Sequence, residues 1–334
     1  MKKNLSISEF AKLCNVSTAT VSRVMNQKGG YSKETEIKIL DAIEKYNFTP
    51  NLVAKGLRTK KTPIIGVIVP DIVNTFYSKM ILELQTALFQ AGYLTMVCNV
   101  NESDELEKQE VLALLAQNIS GLILISGRTR KTDIKGVPVI YIDRVPSEEE
   151  KEEFIVIESD NLFGGYVATQ ELINNGCKRI AFVTDKIGES TKTKRYEGYC
   201  KAILEAGLFL DPSMTLRVNS VVISEGERVV KKAIDEGIRV DGFVCATDNL
   251  AIGAILGAKA RGLRVPEDIK VTGFDDVEIA SLFTPSVTTV HQYNDQMAKA
   301  AAEKMITLLS EKEIEDRHIL IPVDLVSRES SRNE

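Results

Sequence analysis

Histidine and cysteine are scarce in this chain, and each shortage closes off a kind of chemistry. The two histidines, His291 and His318, sit near apolar runs and lack the spacing of metal ligands. The five cysteines (Cys14, Cys98, Cys177, Cys200 and Cys245) include no CxxC pair. That argues against a zinc cluster or a disulfide framework and suits a reducing cytoplasm. No apolar run approaches the length that spans a bilayer, and the basic start MKKNLSISEFAK has no apolar signal segment behind it. A cytoplasmic protein without a membrane partner is expected. A Walker-type GxxxxGKS/T loop, a GxGxxG turn after a strand and a GxSxG elbow are also missing. No catalytic residue, metal or cofactor is therefore assigned.

What is present begins with size. At 334 residues, 44% hydrophobic and 27% charged, the chain suits two or three folded units rather than one core or a disordered polymer. Its net charge of −5 hides a split. Residues 1–62 hold 12 Lys and Arg against 5 Asp and Glu, a net of +7, and the remainder holds 30 against 42, a net of −12. The basic front is a candidate binder of a polyanion.

Patterning supports that assignment. Ile7, Phe10, Ala11 and Cys14 recur at helical spacing behind Ser6 or Ser8, either of which can cap a first turn. Asn15 tolerates the left-handed conformation of a tight interhelical turn, and Ser17 then caps a second helix. At about 100° per residue, Val21, Val24 and Met25 share one side of that helix, opposite Thr18, Ala19, Ser22 and Arg23. A third helix is expected from Ser32 to about Tyr46, with Ile37, Leu40, Ala42, Ile43 and Tyr46 inward. Three short helices with a tight turn between the first two match a helix-turn-helix, whose second helix enters the major groove. Thr18 and Ala19 suit methyl or hydroxyl contacts there, and Arg23 can bond guanine or clamp a phosphate.

The run SISEFAKLCNVSTATVSRVMN resembles the DNA-binding headpiece of the LacI/GalR (lactose-repressor) family of bacterial transcription regulators. Cys14 and Asn15 depart from the Ala-Gly usual at those positions, a small cost because Asn can replace Gly in such a turn. The resemblance implies that Ser17, Thr18, Ala19, Thr20, Ser22, Arg23 and Asn26 face double-stranded operator DNA. The next segment, TPNLVAKGLRTKKT, reads alone as a basic linker too short and too glycine-weakened for a stable isolated helix. In the resembling family it is a hinge helix that orders on operator DNA, pairs with its dimer mate and wedges a leucine into the minor groove. Asn51, Ala54 and Leu57 are then its DNA-facing residues, Leu57 being the wedge. Pulling the paired hinges apart would release DNA.

From Pro63 onward apolar runs alternate with helical patterns. IIGVIVP at 64, LTMVCN at 94, GLILIS at 121 and VPVIYID at 137 form one series, and RIAFVTD at 179, TLRV at 215, GFVCAT at 242 and IKVTGFD at 269 a second. Helices are expected near 76–91, 104–117, 162–175, 192–206, 224–236 and 248–261. This is the order of two parallel-sheet α/β halves, with a ligand cleft at the carboxyl ends of the strands. Asp71, Asn74, Asp143, Arg144, Asp185, Arg195, Thr247, Asp248, Asp275 and Asp276 collect at those ends. Carboxylates with an arginine suit a polyhydroxylated ligand, and Phe76 and Tyr77 offer a flat wall for a sugar ring. Asp248 reads equally well as a helix cap.

VIVPDIVNTFY, ATDNLAIGA and DIKVTGFDD extend the resemblance over nearly the whole chain, towards a core similar to periplasmic sugar-binding proteins. It implies effector contacts at Phe76, Tyr77, Asp143, Arg195, Thr247 and Asp275, with Thr191 and Val221 beside them; Lys192 and Lys194 leave open a phosphorylated ligand. The expected architecture is an all-α helix-turn-helix headpiece (1–49), a hinge (50–62) and an effector-binding and dimerisation core (63–334). The core's first lobe would span about 63–161 and 292–322, and its second about 162–291 and 323–330. The helix at about 294–309 would belong to the first lobe. The expected function is a homodimeric, nucleoid-associated repressor of a carbohydrate operon, controlled by a small ligand, without enzymatic activity. Met80, Ile81, Leu84 and Leu88 are candidates for the dimer face or for the sheet-facing side of their helix, and a tetramer is disfavoured because the chain ends at SRESSRNE without a leucine heptad. A sugar-modifying enzyme, or a ligand-binding protein without regulatory role, is the alternative; turnover of a bound ligand would mark the first, and ligand binding without DNA binding the second.

Overall fold

The computed structural model describes residues 5–25, 29–46, 48, 62–130, 134–145, 154–185 and 190–332. The chain divides into two compact units, Met1–Pro63 and Ile64–Glu334.

In the smaller unit, three helices (α1, Ile7–Leu13; α2, Thr18–Met25; α3, Lys33–Tyr46) enclose Phe10, Ala11, Cys14, Val21, Val24, Ile39 and Phe48, with Phe10 and Phe48 stacked at 4.0 Å. Ser6 rather than Ser8 starts α1. Its hydroxyl accepts from the Glu9 N–H, and the Glu9 carboxylate accepts from the Ser6 N–H at 2.7 Å, which satisfies two donors that a helix start leaves open. Asn15 turns the chain with φ +49°, the left-handed conformation the tight corner requires. Two side-chain assignments need correction. Ile7 is exposed, and α3 buries Ile39, with Ala42 and Ile43 packed beside it, while Ile37, Leu40 and Tyr46 face outward. Ile37 and Leu40 form a second apolar stripe on α3; α1 and α2 cover only the stripe through Ile39.

The larger unit contains two six-stranded sheets. The first runs β11-β5-β4-β3-β1-β2, all parallel, from β1 (Ile64–Val69), β2 (Leu94–Asn99), β3 (Gly121–Leu124), β4 (Val139–Ile142), β5 (Val156–Ser159) and β11 (His318–Ile321). The second runs β12-β10-β9-β8-β6-β7, from β6 (Ile180–Thr184), β7 (Thr215–Arg217), β8 (Gly242–Cys245), β9 (Lys270–Asp275), β10 (Thr288–Gln292) and β12 (Val323–Val326), antiparallel only between β10 and β12. The chain changes sheet after β5, after β10 and between β11 and β12.

Helices α4 (Thr75–Gln90), α5 (Asp104–Ala116) and α11 (Asn294–Leu309) pack with the first sheet. The second carries α6 (Asn161–Asn174), α7 (Ser190–Glu205), α8 (Ile223–Asp235) and α9 (Asp248–Lys259), with the short α10 (Glu278–Leu282) following β9. On α4 the residues Met80, Ile81, Leu84 and Leu88 are buried in the core, so of their two readings the sheet-facing one holds; Leu82 and Phe89 point outward instead. Helices α6 and α7 touch backbone to backbone. A Cβ on Gly165 would lie 2.1 Å from the Arg195 carbonyl oxygen, and one on Gly198 2.1 Å from that of Leu162, so neither position admits a side chain. Among the described residues, no helix is long and apolar enough to cross a membrane, and no cluster of His, Cys, Asp and Glu is arranged to hold a metal ion.

Candidate DNA-reading helix and effector cleft

On the headpiece, Ser17 caps α2 by accepting from the Thr20 N–H at 3.0 Å, and the Ser17 and Thr20 hydroxyls bond each other at 2.9 Å. Their oxygens thus serve the helix start. Thr18, Ala19 and Arg23 are exposed and Ser22 is partly buried, a polar face opposite the buried Val21 and Val24. The Arg23 guanidinium lies against Gly30. Asn26, Asn51, Ala54 and Leu57 lie outside the described residues.

In the core, the carboxyl ends of the strands converge on one cleft lined by Asn74, Phe76, Tyr77, Asp143, Arg144, Thr191, Lys192, Arg195, Val221, Thr247 and Asp275. All eight residues singled out from the sequence are brought together, joined by Asn74, Arg144 and Lys192. The cleft has about 330 Å³ of empty volume, open solvent at its mouth included. Several of its side chains bond one another along the walls.

The first-lobe wall is built after β1, β2 and β4. Asn74 caps α4, accepting from the Phe76 N–H at 3.0 Å, and so presents Phe76 and Tyr77, whose rings meet edge to face at 5.1 Å. Arg144 donates to Glu102 at 2.9 Å and to the Tyr77 hydroxyl at 2.7 Å. Burial drives the Tyr77 phenol far above its usual range, more than Arg144 lowers it, so it remains a neutral donor. Burial also opposes charge on Glu102, yet Arg144, Arg128 and Lys192 outweigh it and hold the carboxyl at about 2. Asp143 is buried with φ +67°, a turn that aims its side chain into the cleft.

The second-lobe wall comes from α7, α9 and β9. Arg195 lies over the Phe274 ring at 3.6 Å, donates to the Ala246 carbonyl and to Asn161 at 2.7 Å each, and stands 3.5 Å from Asp275. The Asn161 amide is oriented by its own bond to the Ser159 carbonyl at 2.9 Å. Gln292 donates to Asp275 at 2.8 Å. Burial pushes Asp275 up to about 7, with Asp143 adding to the rise, against Arg195 and Gln292. Lys192 pairs with Asp185, and Lys194 reaches across to Glu158 of the first lobe at 2.9 Å. A second tie between lobes is the Val145 N–H donating to the Ser190 hydroxyl at 3.2 Å.

Several strand-end carboxylates do other work. Asp71 accepts from the Val73 N–H in a local turn, and Asp276 pairs with Arg328 and His291. Asp248 is not the cap of α9. Thr247 is, and Asp248 is fully buried, accepting from the Val277 N–H at 2.9 Å and from the Thr289 hydroxyl. Glu102, Asn161 and Gln292 went unnoticed as site residues, although each follows or ends a strand at the edge that carries the others.

Known proteins share both units. Residues 6–51 match the pattern described as bacterial regulatory proteins, lacI family, and residues 169–331 that of a periplasmic binding protein-like domain. The chain is 33% identical over 329 residues to the HTH-type transcriptional regulator RegA of Clostridium saccharobutylicum, covering 98% of this chain and 99% of that one. It is 30% identical over 335 residues to the ribose operon repressor of Halalkalibacterium halodurans (98% and 97%), and 30% over 331 residues to the HTH-type transcriptional repressor PurR of Histophilus somni (97% and 98%). A solved lac repressor dimer bound to operator and the anti-inducer ONPF superposes with a TM-score of 0.86 at 26% identity, over 98% of this chain and 99% of that one. The transcriptional regulator CelR with cellobiose gives 0.74 at 26% identity, over 98% and 99%. With relatives of that identity spanning both chains almost end to end, and with its own headpiece and two-lobed core, this chain belongs to the LacI family of bacterial transcription regulators.

Proposed function

We propose that the chain is a homodimeric repressor that reads a pseudo-palindromic operator through Thr18, Ala19, Ser22 and Arg23 of α2, with Ser17 and Thr20 fixing the helix start. Residues 50–62 act as the hinge, and 63–334 bind a carbohydrate effector between the lobes and dimerise. Ligand contacts would alter the relation of the lobes and so the pairing of hinges. One headpiece reads one half-site, so twofold protein symmetry implies a symmetric site. Exposed Leu82 and Phe89 on α4, with exposed Leu94 and Met96 on the adjoining edge strand β2, supply an apolar face for the dimer.

The observation that carries this reading is the cleft itself. Strands and helices of two lobes deliver carboxylates, two arginines, a lysine, hydroxyls and an aromatic wall to one enclosure, the donor and acceptor mixture that sugar hydroxyls need. Kinship with a ribose operon repressor and with a regulator solved with cellobiose supports it. The test is selection of preferred sites from random duplex DNA with the full-length chain at physiological salt, followed by addition of sugars. Enrichment of a symmetric sequence whose occupancy a sugar changes is expected; no preference over random duplex overturns the proposal.

A further inference from the structure

The cleft carboxylate Asp275 stands on a costly piece of backbone. It ends β9 with φ +112°, and Asp276 follows with φ +53°, so two consecutive residues with side chains occupy a region that favours glycine. Such a corner persists only where the contacts around it fix it. On its inner side Gln292 donates to Asp275 at 2.8 Å, and Arg195 stands 3.5 Å away. On its outer side the grip comes from the segment after β12. The Arg328 guanidinium donates to one Asp276 oxygen at 2.6 Å and to the Val287 carbonyl at 2.9 Å, and the other Asp276 oxygen meets the His291 ring at 2.8 Å. With side-chain exposures of 18% and 17%, the Arg328–Asp276 pair is shielded from the solvent screening that weakens surface pairs.

We infer that Arg328 is a positioning residue of the effector site: by holding Asp276 it keeps the corner that aims Asp275 into the cleft. The inference rests on the proposed cleft and gives it a support from outside its walls, since Arg328 is not among the residues that line it. The guanidinium can be removed without unfastening the segment that carries it. The Arg328 N–H donates to the Thr288 hydroxyl at 2.8 Å, the Ser330 N–H to the Ser286 carbonyl at 2.9 Å, and the Val271 N–H to the Ser330 carbonyl at 2.9 Å, all through the segment's own backbone groups. What the side chain adds is the ion pair on Asp276. Without it the corner relaxes towards ordinary backbone conformations, and Asp275 turns out of its buried place.

The experiment follows Asp275 itself, by carbon-13 NMR of the full-length chain labelled at its aspartate carboxyls, with the resonance assigned through Asp275→Asn. In the unaltered chain burial pushes this carboxyl up to about 7. Arg328→Met should lower its midpoint by about one unit or more, towards the ordinary value of about 4, because the released carboxyl meets water. The sign separates positioning from charge, since withdrawing a cation by itself raises a carboxyl midpoint. Arg195, Arg144, Asp143 and Asp248 are the charges that face Asp275, and the variant leaves all of them in place. Arg328→Lys, which restores a charge able to reach Asp276, should recover about half of the shift or more. A midpoint that is unchanged or raised in folded Arg328→Met overturns the inference, whatever the melting temperature does. Should that variant fail to fold, Arg328→Gln carries the same expectation. Arg328→Met should also weaken sugar binding about tenfold, read as thermal stabilisation by D-ribose, D-glucose or cellobiose at about 10 mM. A lowered midpoint with sugar binding unchanged overturns the link to the effector site. Stabilisation of the unaltered chain by none of the three tells against the carbohydrate reading, and the midpoint alone then decides for or against Arg328.

Discussion

The headpiece and the core solve recognition in opposite ways. In the headpiece, the described residues assigned to reading sit on one helix, α2, and behind them, among the described residues, a core of seven buried side chains is trimmed by hydroxyl and carboxylate caps. In the core, the residues assigned to ligand lie under the surface, held by other side chains such as Asn161 and Gln292. The difference follows from the size of the partner. A duplex is read by presenting groups to it, whereas a metabolite is read by excluding water around it, which strengthens every charge and makes each misplaced one costly. The headpiece therefore has little stability to lose, and the core has little electrostatic freedom.

Removing residues 1–62 is the harshest test of this division. Operator affinity should fall by about a thousandfold or more, to the non-specific level, while stabilisation by sugar persists in a melting assay. Loss of both would mean that the two units do not divide the work. Next in size, Phe10→Ala deletes the fully buried ring stacked on Phe48 and should cost about 3–5 kcal/mol. Calorimetry should show the headpiece melting early and the core unmoved.

Asp275→Ala reverses the pattern. Ligand affinity should drop about 30-fold or more, and the effector response should vanish with operator affinity retained. Gel-shift titrations with and without sugar measure both. Arg23→Ala should weaken operator binding about tenfold and relax sequence choice at one position of each half-site, read by repeating the site selection with the variant.

The smallest effect is pH-dependent. Asp275 keeps its proton to about 7 in the folded chain because burial penalises its charge, but releases it near 4 when unfolded. The folded state thus binds the extra proton between those values. Its contribution to stability declines as pH rises from about 4 to about 7 and is level above. Sugar hydroxyls that donate to the carboxylate favour its ionised form, so ligand affinity should rise a few-fold from about pH 6 to about pH 8. Asp275→Asn should flatten that profile in titration calorimetry.

What could be read from the residues beforehand followed the range of the forces involved. The Asn15 corner and the Ser17 cap are local, and local chemistry is written in order along the chain. The cleft residues were legible because parallel strands all end at one edge, so apolar runs locate Asp143, Thr247 and Asp275 without any knowledge of contacts. The register of α3 was not legible. Its sequence holds two apolar stripes, and only the covering helices choose Ile39 over Ile37 and Leu40. Strands β5, β10, β11 and β12 lay outside the apolar runs that marked the two series, and with them went Gln292. Asn161 and Glu102 were missed because their meaning depends on what stands opposite: Arg195 thirty-four residues on, and Arg144 forty-two. Asp248 shows the converse, a strand-end acid whose position suggested a cap or a ligand contact and which instead ties α9 to the loop after β9.

The glycine contact between α6 and α7 has a consequence for how this scaffold can be retuned. Arg195 stands at the point where its helix rests on Gly165 with no side chain between. Sliding that helix to suit a bulkier or smaller guest would drive carbonyl into backbone, so the guanidinium keeps a fixed address. New tastes must be acquired by exchanging neighbours such as Thr191, Lys192 or Val221 around an anchor that stays put, which makes this pocket a promising target for recoding by side-chain libraries rather than by remodelling of the frame.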